Sequence, residues 1–134
     1  MRAPTVRFAV RAWTVGFGAA LVTQGLFRRR FGRATGWGHN PGWQREIAVW
    51  NLGTLVTAAG LAQAGPGAER AQARGFAVLS ALFCLNHAAA AVRDPRGTSN
   101  WAGAAANAAG LGIGMAALNS QRPGDASPRR GRAR

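Results

Sequence analysis

Four apolar segments alternate with short polar stretches along this chain of 134 residues. The segments extend over about residues 8–27, 41–63, 75–92 and 101–118. Each has about the length that an α-helix needs to cross the hydrocarbon core of a bilayer, although the first and third are near the lower limit. Connections this short place successive helices antiparallel. The pattern predicts an all-α fold, a membrane up-down four-helix bundle, within residues 1–118.

Helix boundaries are marked by capping and breaking residues. Asn40 followed by Pro41 is typical of a capped helix start. Stretches that contain Pro and Gly end the second segment at 64–67 and the third at 94–97, and residues 69–74 are expected to form a polar turn.

The fourth segment is the weakest of the four, because Ala and Gly contribute little to membrane insertion. Ser99 or Asn100 can cap it. Its alternative is a helix that lies in the membrane interface rather than crossing it. Residues 119–134 contain Pro, Gly, Ser and Arg without apolar periodicity, and we expect this Arg-rich tail to be disordered.

The charge of the chain is +13, and all 17 basic residues are arginines. These arginines lie mostly in the tails and connections, whereas a nucleic-acid-binding protein carries its basic residues along one face of its helices. This segregation favours a membrane protein and argues against a nucleic-acid partner. The single cysteine, Cys84, cannot form a disulfide within the chain.

Polar side chains gather on one side of the predicted bundle. In an up-down topology the first and third helices end, and the second and fourth begin, at the side that carries residues 36–46; we call this side the loop end. Every helix contributes an amide or imidazole there. The candidate polar site consists of Gln24, His39, Glu46, Asn51, Asn86, His87 and Asn107.

Helical spacing directs three of these side chains inwards. Asn51, His87 and Asn107 each share a helix face with small residues, and we expect them to point towards one another. Outside such a cluster each would face hydrocarbon at a cost of a few kcal/mol. A purely structural role, as hydrogen bonds between helices, is the alternative for the amides. An ionisable side chain within a membrane is a functional candidate, which singles out His87.

The tryptophans and glycines are predicted to form contact surfaces rather than a catalytic or binding site. The tryptophans are predicted to anchor the protein at the membrane interface, and these are Trp37, Trp43, Trp50 and Trp101. A stripe of small residues on the fourth helix is predicted to mediate helix packing, and its glycines are Gly103, Gly110 and Gly114. The stripe also motivates the hypothesis that the protein forms homo-oligomers through this helix.

No recognisable catalytic or metal-binding pattern occurs in the sequence. The two histidines and the nearby acidic residues show no ligand spacing, so no metal or other cofactor is predicted. Gly110-x-Gly112-x-Gly114 follows no strand and gives no support to a dinucleotide site. The absence of a catalytic pattern argues against enzyme activity without deciding the question.

Two stretches resemble a known family. They are WQREIAVWNLG at residues 43–53, and Asn86-His87 followed by VRDPR at 92–96 and Asn100-Trp101. The sequence is similar here to small four-helix integral membrane proteins of bacteria that form a family of unknown function. More distantly, the architecture resembles the DoxX-like proteins, some of which are linked to quinone or thiol redox systems. The resemblance covers about residues 8–118 and implies no catalytic residues.

The leading hypothesis is a small integral membrane protein that acts as a structural or interaction subunit, with the lipid bilayer as its main partner. The alternative is a ligand-handling, transport or redox-linked membrane subunit with a polar site under residues 36–46. We expect the protein in the bacterial inner membrane. Ten arginines at the opposite end against seven at the loop end favour cytoplasmic termini, although the first helix alone favours the reverse.

Overall fold

The computed structural model describes residues 3–35, 38–96 and 98–120. Within these residues the chain forms α-helices and no strand, so the all-α prediction is confirmed. The helices are α1 (Val6–Gly25), α2 (Arg28–Ala34), α3 (Pro41–Leu61), α4 (Pro66–Arg93) and α5 (Thr98–Ser120).

Side-chain caps fix the starts of two long helices. Thr5 precedes α1, and its hydroxyl accepts a hydrogen bond from the backbone N–H of Phe8 at 3.1 Å. Asn40 precedes α3, and its Oδ1 accepts from the N–H groups of Gly42 and Trp43 at 3.1 and 3.2 Å. Pro41 occupies the first helical position, where its missing N–H costs nothing. The predicted start of the second long helix is confirmed.

Helix α4 begins nine residues earlier than the sequence pattern predicts. Gly65, with a φ of +92°, turns the chain, and Pro66 begins the helix. The predicted polar turn at 69–74 is therefore helical. Residues 69–74 consist of Ala, Glu, Gln and Arg, which are all strong helix formers. The polarity of this stretch therefore does not imply a turn.

Two further boundaries differ from the sequence prediction. The Arg-rich stretch expected to separate the first two long helices forms the seven-residue helix α2. Helix α5 begins at Thr98, so Asn100 lies inside its first turn instead of capping it, and the helix continues to Ser120. Residues 121–134 of the predicted tail lie outside the described residues.

The long helices do not form a closed square bundle. Helices α4 and α5 pack against each other most extensively, and α1 packs against both of them. Helix α3 packs mainly on α1 and meets α4 only slightly. The arrangement is therefore open between α3 and α4.

Aromatic side chains join α1 to α4 in the half of the structure remote from the loop end. The ring of Phe76 lies 5.4 Å from that of Trp13 in an edge-to-face arrangement, and 5.1 Å from that of Phe17. Val6 and Val10 complete this core. Aromatic pairs in such geometry contribute about 0.5–1.5 kcal/mol beyond the area that they bury.

The buried residues include more polar side chains than large hydrophobic ones. Among the described residues, Val6, Val10, Trp13 and Phe76 are the only large hydrophobic side chains that are buried, and the other buried hydrophobic residues are alanines. The buried polar side chains outnumber them: Gln24, Thr35, Gln44, Asn51, Glu69, Gln72, Ser80 and Asn100.

The outer surface is correspondingly apolar. Val15, Trp50 and Leu85 are 73, 77 and 68% exposed, and many other large hydrophobic side chains also face outwards. Burying such a side chain is worth about 1.5–3 kcal/mol in water, and large exposed apolar patches mark sites of interaction with protein or membrane. Two helices, α4 and α5, are long and apolar enough to cross a membrane.

Candidate polar site at the loop end

Helix α2 lies across the loop end and links the starts of α3 and α5. A Cβ atom at Gly32 of α2 would lie 2.6 Å from Nε2 of Gln44 and 3.0 Å from Cα of His39. On the other side, the hydroxyl of Ser99 donates a hydrogen bond to the carbonyl of Ala34. A larger residue at Gly32 would displace the Gln44 side chain and crowd the backbone of His39.

Four amide side chains are buried beneath this end. Asn100 is completely inaccessible, and Gln24, Gln44 and Asn51 are 7, 5 and 7% exposed. Within the described part of the chain, no hydrogen-bond partner meets Oε1 of Gln24, Oε1 of Gln44 or Nδ2 of Asn51. Neither Oδ1 nor Nδ2 of Asn100 has one. A buried polar atom without a partner costs about 1–3 kcal/mol.

The heights of these amides follow from their places on the helices. Gln24 is next to the last residue of α1, and Gln44 lies in the first turn of α3. Because α1 and α3 are antiparallel neighbours, these two lie at a similar height. Asn51 lies about 10 Å deeper on the same buried face as Gln44 and Ala48. Asn100 begins the buried face of α5.

The buried amides offer hydrogen bonds without charge. Each amide carries two donors and one carbonyl acceptor, so the set presents both kinds of group. The acidic Glu46 and the imidazole of His39 are both exposed and do not enter this buried set. The arrangement therefore suits water or an uncharged hydrogen-bonding molecule better than an ion. We call Gln24, Gln44, Asn51 and Asn100 the amide cluster.

His87 and Asn107 each contact Gly103 at a different place, on the interface between α4 and α5. A Cβ atom at Gly103 would lie 2.6 Å from both Cε1 and Nδ1 of His87. The side-chain N–H of Asn107 donates to the carbonyl of Gly103 at 2.8 Å. Asn51 instead lies on the buried face of α3, which packs mainly on α1. The structure thus places Asn51 on a different helix pair from His87 and Asn107.

The remaining candidates occupy the surface. Asn86 is exposed on α4. Trp43 and Trp101 are exposed in the first turns of α3 and α5, and the indole N–H of Trp101 donates to the carbonyl of Pro95 at 3.3 Å. Trp50 lies midway along α3, far from either end of the helix. Trp37 lies outside the described residues.

The glycine stripe of α5 faces a tryptophan of the same chain. Cβ atoms at Gly110 and Gly114 would lie 2.9 Å from Nε1 and 2.7 Å from Cζ2 of Trp13, respectively. The indole N–H of Trp13 donates to the hydroxyl of Ser80 on α4 at 2.8 Å. One side chain of α1 therefore fills the groove of α5 and bonds to α4, which holds the three helices together.

Sequence reasoning missed the importance of Trp13, Gln44 and Asn100. Signals for two of them were present: Gln44 precedes Asn51 by two helical turns, and Asn100 lies on one face with Gly103 and Asn107. Trp13 gave no such signal, because an isolated tryptophan in an apolar segment is equally compatible with burial, lipid contact and an interface position.

The structure offers no metal centre in the residues that it describes. No group of three or more His, Cys, Asp or Glu side chains is close enough there to hold an ion. Comparison with protein-family models, with curated proteins and with solved structures found no match to this chain.

Proposed function

We propose that this chain is a four-span integral membrane protein whose loop end binds a small, uncharged, hydrogen-bonding molecule or headgroup. Two kinds of observation support the two halves of this proposal. The apolar outer surface and the polar interior support the membrane setting. The amide cluster supports the binding site.

The dimensions of the helices agree with a membrane setting. Helices α1 and α3 contain 20 and 21 residues, which corresponds to about 30 Å each and matches the hydrocarbon core of a bilayer. Helices α4 and α5 meet the length and composition expected of membrane spans on their own. Arg7 and Arg11 lie in the first two turns of α1, where long side chains can extend to the headgroups.

We assign an up-down topology to these four spans, with α2 lying across the loop end. The bacterial cytoplasmic membrane, with both termini in the cytoplasm, is the location that we propose. The excess of arginines at the end opposite to the loop end supports this orientation.

The unpartnered amides are the observation that carries the binding proposal. Amides that serve only to hold membrane helices together form hydrogen bonds to one another or to the backbone. Four buried amides here have five atoms, both donors and acceptors, without a hydrogen-bond partner in the described chain. A bound polar molecule, alone or with ordered water, would satisfy them.

A replacement of Asn100 by Leu tests this site. Leu has nearly the same size and removes two unpartnered atoms, so Asn100→Leu should raise the unfolding temperature in detergent while abolishing binding. A short-chain benzoquinol, whose hydroxyls donate and accept hydrogen bonds, serves as the binding probe in a thermal-shift titration. Asn86→Leu is the matched control, because Asn86 is exposed, and it should leave the quinol-induced shift unchanged. If Asn100→Leu destabilises the protein and keeps the shift, the binding proposal is wrong.

A structural or interaction subunit is the second candidate, and the apolar outer surface favours it. Self-association through Gly110 and Gly114 would require Trp13 to move, because its ring already fills that stripe. Gly112 lies on another side of α5, where a Cβ atom would meet nothing within 4 Å. Loss of oligomers in a Gly112→Leu variant, measured by light scattering in detergent, would support association through α5, and unchanged assembly would count against it.

A further inference from the structure

The open side of the helix arrangement contains a long apolar groove. It lies between α3 and α4 and has a volume of about 810 Å³. Its walls include Val49, Trp50, Gly53, Leu61, Phe76 and Leu79. The groove exists because α3 packs mainly on α1 and leaves its side towards α4 uncovered.

The groove covers one half of the helix length. On α3 it extends from Leu61, the last residue of the helix, to Val49 near the middle, which is about 18 Å. On α4 it extends from Gln72 to Leu79, which is also near the middle of its helix. In a membrane this span corresponds to a single leaflet, on the side opposite to the loop end.

A buried amide lies at the outer part of this groove. Gln72 is 8% exposed, and its Oε1 has no hydrogen-bond partner in the described ranges. Gln72 is also two turns from the start of α4, which at 28 residues is longer than the bilayer core is thick. The groove therefore presents a polar group at the membrane boundary and apolar walls at greater depth.

The same end of the molecule is positively charged. Its described helices carry Arg7, Arg11, Arg70 and Arg74, against the single acidic residue Glu69. The carboxylate of Glu69 is already bound by Nε of Arg7 at 2.9 Å. An anionic headgroup at this level would be attracted by the remaining positive charge.

We propose that the groove between α3 and α4 binds an acyl chain of an anionic phospholipid. A headgroup hydroxyl, such as those of phosphatidylglycerol, would donate a hydrogen bond to Oε1 of Gln72, and the phosphate would lie at the level of the arginines. The inference rests on the membrane setting of the proposed function, but it concerns a different surface from the amide cluster. Substitutions that fill the amide cluster would leave binding of the acyl chain unaffected.

Two glycines allow the groove to be filled without disturbing the fold. A Cβ atom at Gly53 or Gly75 would meet nothing within 4 Å, and both residues line the groove. Gly75→Leu should therefore fold and occupy the space of the acyl chain. Gly112→Leu adds the same side chain at an open position on α5 and serves as the matched control.

Native mass spectrometry of protein purified in mild detergent measures the retained lipid after titration with phosphatidylglycerol or phosphatidylcholine. The wild type and Gly112→Leu should retain phosphatidylglycerol, and Gly75→Leu should bind it about tenfold more weakly, equivalent to ~1.4 kcal/mol. Arg74→Gln should weaken phosphatidylglycerol but not phosphatidylcholine binding, whereas Arg45→Gln at the loop end should change neither.

Three results would overturn the proposal. Equal retention of phosphatidylglycerol by Gly75→Leu would show that the groove is not its site. Equal binding of both lipids by the wild type would remove the role of the headgroup charge. A dimer that Gly75→Leu dissociates would show that a second copy fills the groove. Release of the protein from membranes by alkaline carbonate would instead contradict the membrane setting itself, and so separates the failure of the proposed function from that of the lipid site.

Discussion

A pair of glycine-to-alanine substitutions on α5 would test how the helices pack. Gly112 and Gly114 both lie inside the helix, so alanine should stabilise either position by about 0.5–1 kcal/mol through helix propensity alone. At Gly112 the new methyl group would meet nothing within 4 Å. At Gly114 it would collide with the ring of Trp13, where even Cζ2 would lie only 2.7 Å away.

The size of the expected difference follows from this contrast. Overpacking of a close contact costs about 1–3 kcal/mol, and Trp13 cannot easily retreat because its indole N–H bonds to Ser80 and its ring packs on Phe76. We expect Gly112→Ala to be neutral or stabilising, and Gly114→Ala to be less stable than Gly112→Ala by about 1–3 kcal/mol. Reversible unfolding in mixed micelles of increasing denaturing-detergent content measures both. Equal stability of the two variants would refute the packing of α1 on α5.

Two contacts between α1 and α4 give further predictions. Trp13→Phe removes the hydrogen bond to Ser80, and a double-mutant cycle with Ser80→Ala should return a coupling of about 0.5–1.5 kcal/mol in the same unfolding assay; additive effects would show that the bond contributes nothing. Arg7→Gln should destabilise more than Glu69→Gln, because it leaves the buried carboxylate of Glu69 without its cation, although the 61% exposure of the Arg7 side chain keeps the effect small. The opposite order in stability would contradict the burial of Glu69.

The helical segments could be predicted from the sequence because hydrophobic runs and caps are local features. Asn40 and Pro41 define the start of α3 without reference to any other helix. The polar residues Glu69 and Gln72 make the early start of α4 unpredictable from the hydrophobic pattern, because they are buried helix residues. Their burial depends on α1 and α3, which no local pattern reveals.

The sequence alone could not predict which of the candidate polar side chains are buried. Gln24 and Asn51 are buried, whereas Glu46 and Asn86 are exposed. Which side chains meet depends on helix pairing. Because α3 packs on α1, Asn51 lies on a different helix pair from His87 and Asn107, which both lie next to Gly103 on the pair formed by α4 and α5.

The glycines of α5 show the same contrast between local sequence patterns and the pairing of helices. A small-residue stripe indicates that something approaches α5 closely, but the sequence does not say whether the partner belongs to the same chain or to another. In the structure the rings of Trp13 and His87 occupy the stripe at Gly114 and Gly103. The stripe alone therefore does not distinguish self-association from packing within the chain.

Quenching of tryptophan fluorescence by brominated lipids tests most directly whether the apolar outer surface faces hydrocarbon. Two single-tryptophan variants are compared in vesicles, each with the other four tryptophans replaced by Phe. Trp50 is 77% exposed at the middle of α3, whereas Trp13 is 9% exposed and enclosed by three helices. We predict strong quenching of Trp50 by bromine atoms deep in the acyl chains and weak quenching of Trp13. Weak quenching of Trp50, with efficient quenching by water-soluble iodide instead, would contradict the membrane setting on which the account depends.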